Sequence, residues 1–142
     1  VTLGTPHYPP AGGAADPTRG ALSYVHRKYP GAFLRENGIF YLSVAGDSVH
    51  GDSFAPRGSF ENLASYCYRK VTGTANNGEE RGDGVVPVGY AHLEGAEHLT
   101  LDDVWHSSFG EAGLWYGSRE VTMHWLSKTL DLLNEGTTAP NR

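Results

Sequence analysis

Short apolar runs separated by glycine- and proline-rich stretches recur along the chain, and their period alternates between strand and helix. Val1-Thr2-Leu3 is apolar and β-branched and runs into the turn signal Gly4-Thr5-Pro6-His7, so it predicts a strand end. Residues 8–18 are rich in Pro, Gly and Ala and predict a loop. Thr18 is expected to cap a helix over about 19–29, with Leu22, Val25 and Tyr29 on one face and Pro30-Gly31 ending it. Ile39 to Ala45 is nearly continuous in apolar residues, as a parallel strand covered on both faces should be, and Gly46-Asp47 is read as its stop. A loop over 47–60 leads to a helix at about 60–71, with Leu63, Tyr66, Cys67 and Lys70 at helical spacing. A second loop covers about 72–84, and Val85-Val86-Pro87-Val88 reads as a short extended piece. Glu97 to Val104 alternates polar and apolar and predicts a strand. After a loop through Gly110 and Gly113, Ser118 is expected to cap a helix over about 119–134 whose buried stripe is Val121, Trp125, Leu126, Leu130 and Leu133. Gly136 ends it, and residues 137–142 are expected to fray.

Strand, helix, strand, helix, strand, helix is the order of an α/β fold with a parallel sheet and crossover helices. Three strands are few for such a sheet, so the 142 residues are expected to leave the core incomplete.

Composition narrows the function classes. The chain is 39% hydrophobic and 19% charged with a net charge of −5, and its basic residues are scattered, which argues against a nucleic-acid partner. No apolar run approaches the roughly 20 residues that span a bilayer. The first residue is Val1 and not Met, which leaves an upstream signal or transit peptide open. The lone cysteine, Cys67, excludes an internal disulfide and reads as a packed thiol.

Two segments carry candidate chemistry. In Arg81-Gly82-Asp83-Gly84-Val85-Val86-Pro87 an Asp sits between glycines, on a turn where main-chain geometry can aim its carboxylate. In Leu101-Asp102-Asp103-Val104-Trp105-His106-Ser107 a His follows a strand directly. A neutral imidazole within hydrogen-bond reach of a serine takes its proton and returns it to the leaving group. A buried carboxylate fixes the tautomer of that imidazole. Taken alone, Asp83 reads first as a turn former and His106 could be a surface histidine; Asp102 and Asp103 are rival acids that read first as closing the strand or binding backbone. Gly46-Asp47-Ser48-Val49-His50-Gly51 is one residue too long for a Gly-x-Ser-x-Gly elbow, so Ser48 reads as a loop residue. A zinc set from His50, Asp52, His92 and His98 lacks the usual ligand spacing, and no metal or other cofactor is expected.

The segments at 1–7, Tyr41 to Asp47, Gly82 to Pro87, Ala91 to Ala96, Leu101 to Ser107 and Trp115 to Ser118 follow one another in an order that resembles the α/β-hydrolase superfamily. Within it they resemble the lipase-like branch of plants and cyanobacteria, related to the inositol-deacylase-like lipases. The resemblance runs from Val1 to about Leu133 and implies the C-terminal half of an α/β-hydrolase fold, with the N-terminal half absent. It implies one partial domain over 1–136, with 8–35 where such enzymes insert a lid. It implies Asp83 as triad acid, His106 as triad base, and a serine nucleophile upstream of Val1, with none in this chain. Carboxylic ester hydrolysis on a lipid or small ester substrate follows, with His7 and Trp115 as candidate substrate contacts. The fragment alone is expected to be inactive. A non-catalytic binding protein and an acyltransferase on the same machinery are the alternatives. The resemblance leaves a plastid location open and the compartment unassigned.

Overall fold

Three parallel strands form the sheet that positions everything else. The computed structural model describes residues 1–74, 80–108 and 113–137. In chain order, β1 is Thr2–Leu3, α1 is Ala21–Lys28 and a 3-10 turn covers Arg35–Asn37. Next come β2 at Leu42–Asp47, β3 at Val49–His50, α2 at Phe60–Thr72 and β4 at Arg81–Gly82. Then α3 is Val88–Ala91, β5 is Glu97–Asp102, β6 is Val104–Trp105, β7 is Leu114–Trp115 and α4 is Arg119–Thr137. The sheet order is β1-β2-β5, parallel throughout, with Thr2 opposite Ser43 and Leu42 opposite Glu97. A two-residue antiparallel pair joins β3 to β4, and a parallel pair joins β6 to β7. The mixed α/β class with parallel strands is therefore present.

Both faces of β2 are covered, as its apolar run implies. Leu42 and Val44 join Leu101, Val104, Tyr116, Val121 and Leu132 in a core under α4, while Ala45 packs with Val86 and Ala91 on the α3 side. A third cluster, Val49, Ala64 and Tyr68, seats α2 on β3, with Trp105 against it.

The strand lies later than its hydrophobicity suggests. Ile39 and Phe40 fall outside it and are about half exposed. Gly46 and Asp47, expected to stop it, instead continue the ladder opposite Leu101 and Asp102. Glycine stands at 46 because other groups come close there. A Cβ on Gly46 would lie 2.1 Å from the Val104 carbonyl oxygen and 3.0 Å from Asp83 Cβ. Gly46→Ala should therefore cost about 3 kcal/mol of stability, because the added methyl overpacks against the Val104 carbonyl. Urea unfolding checks this, and an unmoved midpoint would contradict the close approach.

Helix faces also differ from expectation. In α2 the buried residues are Ala64, Ser65, Tyr68 and Thr72, whereas Leu63 and Tyr66 are exposed. The small residues let the backbone approach: a Cβ on Gly51 would lie 3.1 Å from Ser65 Cα. The helix thus packs through Ala64, Ser65 and Tyr68 and turns Leu63 and Tyr66 outward. In α4, Val121 and Leu132 are buried and Trp125 packs beside them, while Leu126, Leu130 and Leu133 are exposed. Trp125 sets that rotation by donating its indole N–H to the Tyr116 carbonyl at 3.0 Å.

Local capping departs similarly. Ser118 Oγ accepts from the Trp115 N–H at 3.0 Å, behind the helix it was expected to cap. Thr18 does receive the Leu22 N–H at 2.8 Å, but left-handed Gly20 is the residue that precedes α1. The piece expected to be extended at 85–88 is a turn that enters α3, because the Val85 and Val86 N–H groups both bond to the Asp83 side chain. The loop over 47–60 contains β3, and that over 72–84 contains β4. Gly136, expected to end α4, lies within it, and the helix runs on to Thr137, the first residue expected to fray. The expected loop turn at Gly110 and the rest of the fraying, over 138–142, lie outside the described residues. Among those described, no helix is long and apolar enough to cross a membrane.

Candidate active site

Asp83 follows β4 on a turn closed by its own backbone and side chain. Its N–H donates to the Val86 carbonyl at 3.3 Å, and Gly82 bridges to Pro87. Gly84 has φ of 94°, a left-handed conformation that glycine adopts without strain, and the Trp105 ring lies against it. The glycines on either side of Asp83 thus serve the turn and leave the carboxylate facing inward.

That carboxylate is 1% exposed and accepts four hydrogen bonds. Oδ1 takes the N–H groups of Val85 at 3.0 Å and Val86 at 2.8 Å. Oδ2 takes His106 Nδ1 at 2.9 Å and the Tyr116 hydroxyl at 2.8 Å. Gly4, just past β1, closes the remaining side: a Cβ there would lie 2.4 Å from Oδ2 and 2.7 Å from the Tyr116 ring. A buried anion needs this many donors to offset its lost hydration.

His106 comes one residue after β6. Its backbone N–H donates to the Asp83 carbonyl at 2.9 Å, so main chain and side chain of one residue both hold the histidine. With a carboxylate oxygen as partner, Nδ1 carries the proton and Nε2, across the ring, keeps its lone pair. The Asp83 hydrogen bond raises the His106 pKa, against burial, which lowers it. The imidazole stays partly open to solvent while Asp83 does not. The arrangement is an oriented base with one nitrogen anchored and the other presented outward.

The structure brings Asp83 and His106 together and leaves the other candidates apart. Asp103 sits at φ of 58° with its N–H on the Asp47 carbonyl, and Asp102 ends β5 opposite Asp47; both are exposed. Neither bonds to His106. The Ser48 hydroxyl donates to the Gly82 carbonyl at 3.3 Å, a backbone contact in a loop. Among the described residues no serine, threonine or cysteine side chain bonds to His106.

His7 lies elsewhere. Its Nε2 meets Thr2 Oγ1 at 3.0 Å, and its pKa is lowered by burial and by the neighbouring His92 and His98. It lines an apolar cleft of about 480 Å³ with Leu22, Val25, Tyr29, Tyr41 and Leu93. Thr2, Tyr41 and Leu93 stand at or just before the N-terminal ends of β1, β2 and β5, whereas Asp83 and His106 stand at the C-terminal ends. The cleft and the pair thus occupy opposite ends of the sheet. The 8–35 segment is tied to the cleft's end, where Tyr8 and Ala32 bond to Glu94. Trp115 pairs with Trp105 across β6 and β7 and lies against Gly117. His92 and His98 stack at 4.3 Å, and among the described residues no group of three or more His, Cys, Asp or Glu is placed to hold a metal ion.

Tyr116 is the site residue that sequence reasoning missed. Its hydroxyl reaches a carboxylate 33 positions away in sequence. The signals for it are indirect: Gly4 and Gly46, each placed where a side chain would strike the site. Neither a family model, nor a curated protein, nor a solved structure matches this chain.

Proposed function

We propose that Asp83 and His106 are the acid and base of a serine-type hydrolase of carboxylic esters, with lipid-like esters as its substrates. The observation that carries this reading is the 2.9 Å bond from His106 Nδ1 to a carboxylate whose other hydrogen-bonding positions are already filled. A surface ion pair would not need a buried, fully bonded partner. A general base does, because the partner must hold one tautomer and then stabilise the imidazolium.

The reaction follows from that geometry. His106 Nε2 takes the hydroxyl proton of a serine as its oxygen attacks the ester carbonyl. Asp83 stabilises the charged ring without taking its proton. Nε2 then protonates the departing alkoxide, and water repeats the sequence on the acyl-serine. In this reading the serine lies outside residues 1–142, on the segment that precedes β1 in the α/β-hydrolase order, and the chain is the C-terminal half of that fold. The acid-then-histidine order in sequence supports it. The preference for lipid-like esters rests on the resemblance.

A fluorophosphonate probe tests the proposal. It should label one serine of the full-length protein and leave the 142-residue chain unlabelled. Labelling of the short chain would put the nucleophile inside it. A folded full-length protein that takes no label would remove the hydrolase reading.

A further inference from the structure

We infer that Tyr116 is a positioning residue: its phenol shares Asp83 Oδ2 with His106 and so sets how strongly the carboxylate holds the imidazole. From the proposed hydrolase reading the inference takes only the role of His106 as base.

The direction of the phenol hydrogen is determined by its neighbours. The Gly46 N–H donates to the Tyr116 oxygen at 2.7 Å, so that oxygen is already an acceptor. Its own hydrogen then points to Asp83 Oδ2, 2.8 Å away. The rest of the residue is fixed as firmly. The ring is buried in the core under α4, and its carbonyl receives the Thr122 hydroxyl at 3.2 Å and the Trp125 indole at 3.0 Å. The hydroxyl therefore cannot leave the carboxylate without moving the start of α4.

The consequence is electrostatic. Two donors divide the charge on one oxygen, and each weakens the pull on the other. Oδ1 cannot compensate, since Val85 and Val86 occupy it. Water has almost no access to Oδ2, because Asp83 is buried. In such a site a hydrogen bond to a carboxylate is stronger than in water, so its loss is felt by the remaining partner. The other titratable groups that face Asp83 are Tyr68 and Cys67 of α2, with Asp47 of β2 beside Tyr68, and none of them donates to the carboxylate. Tyr68 bonds instead to the Val49 carbonyl and the Gly84 N–H.

Removing the phenol should concentrate the charge of Asp83 on His106. In Tyr116→Phe the His106 pKa should rise by about half a unit to one unit, the scale of one hydrogen bond to a charged form. NMR titration of His106 in the full-length protein reads this directly. A second variant guards against loss of the fold: 3-fluorotyrosine at position 116 has a more acidic phenol, donates more strongly and should lower the His106 pKa by about 0.3 unit. Opposite shifts in the two proteins support the inference. A His106 titration unmoved in either folded variant overturns it, because mere packing by Tyr116 would leave that titration in place. The acidic limb of kcat/KM in the full-length protein should move with the NMR value. A shift in titration with no ester turnover in any variant keeps the inference and removes the hydrolase reading; turnover with a stationary titration does the reverse.

Discussion

His106→Ala in the full-length protein should reduce kcat for a soluble p-nitrophenyl ester by about 10⁴- to 10⁶-fold and leave the fold intact. The kinetic effect is large because the proposed chemistry routes every proton through Nε2. Without it the serine is an un-ionised alcohol at neutral pH, and the leaving group departs unprotonated. The structural effect is small because the ring is a third exposed on its side chain. Asp83 also keeps three donors, from Val85, Val86 and Tyr116. The His106 N–H still reaches the Asp83 carbonyl, so the turn stays closed. Steady-state rates with a urea melt on the same protein separate the two effects. Turnover within tenfold of the parent would remove His106 as the base. Added imidazole should recover part of the lost activity, since deleting the partly exposed His106 ring opens a space from solvent to Asp83.

The pairing of Asp83 with His106 was legible only through the order of the segments taken together, because the local marks alone also fit a turn former and a surface histidine. Glycines flank the acid, and a strand ends just before the histidine. Main-chain geometry does most of the positioning, and main-chain geometry leaves a trace in residue type. The parallel sheet was legible more locally: β2 must be apolar on both faces, and its run of residues says so. Helix faces were not. Periodicity finds the large apolar residues, but α2 packs through Ala64 and Ser65, where close backbone approach decides, and α4 is turned by one indole hydrogen bond at Trp125. Gly46 misled for the same reason as Gly4 remained unread: a glycine that permits contact looks like a glycine that breaks a strand. Tyr116 depends on Asp83, Gly46, Thr122 and Trp125 together, and no short stretch of sequence encodes that meeting.

Asp83→Asn should reduce kcat by about 10⁴-fold while the protein remains folded. The amide has one oxygen to place, and the surroundings choose its position. Val85 and Val86 both offer N–H groups to Oδ1, so the carbonyl oxygen of asparagine belongs there. The NH₂ group then stands where Oδ2 was, facing His106 Nδ1 and the Tyr116 hydroxyl. A donor opposite Nδ1 makes that nitrogen the acceptor and moves the ring proton to Nε2. The nitrogen that should take the serine proton is then already protonated. Tyr116 loses its acceptor too, while Gly46 still donates to its oxygen, which leaves a buried hydroxyl hydrogen unsatisfied. That defect should cost about 1–3 kcal/mol of stability, visible in urea unfolding. The ¹⁵N shifts of His106 identify which ring nitrogen is protonated, and the tautomer should be reversed relative to the parent. A reversed tautomer with full turnover would dissociate His106 from the chemistry. An unchanged tautomer with full turnover would transfer the acid role to Asp102 or Asp103, neither of which bonds to the imidazole in this fold.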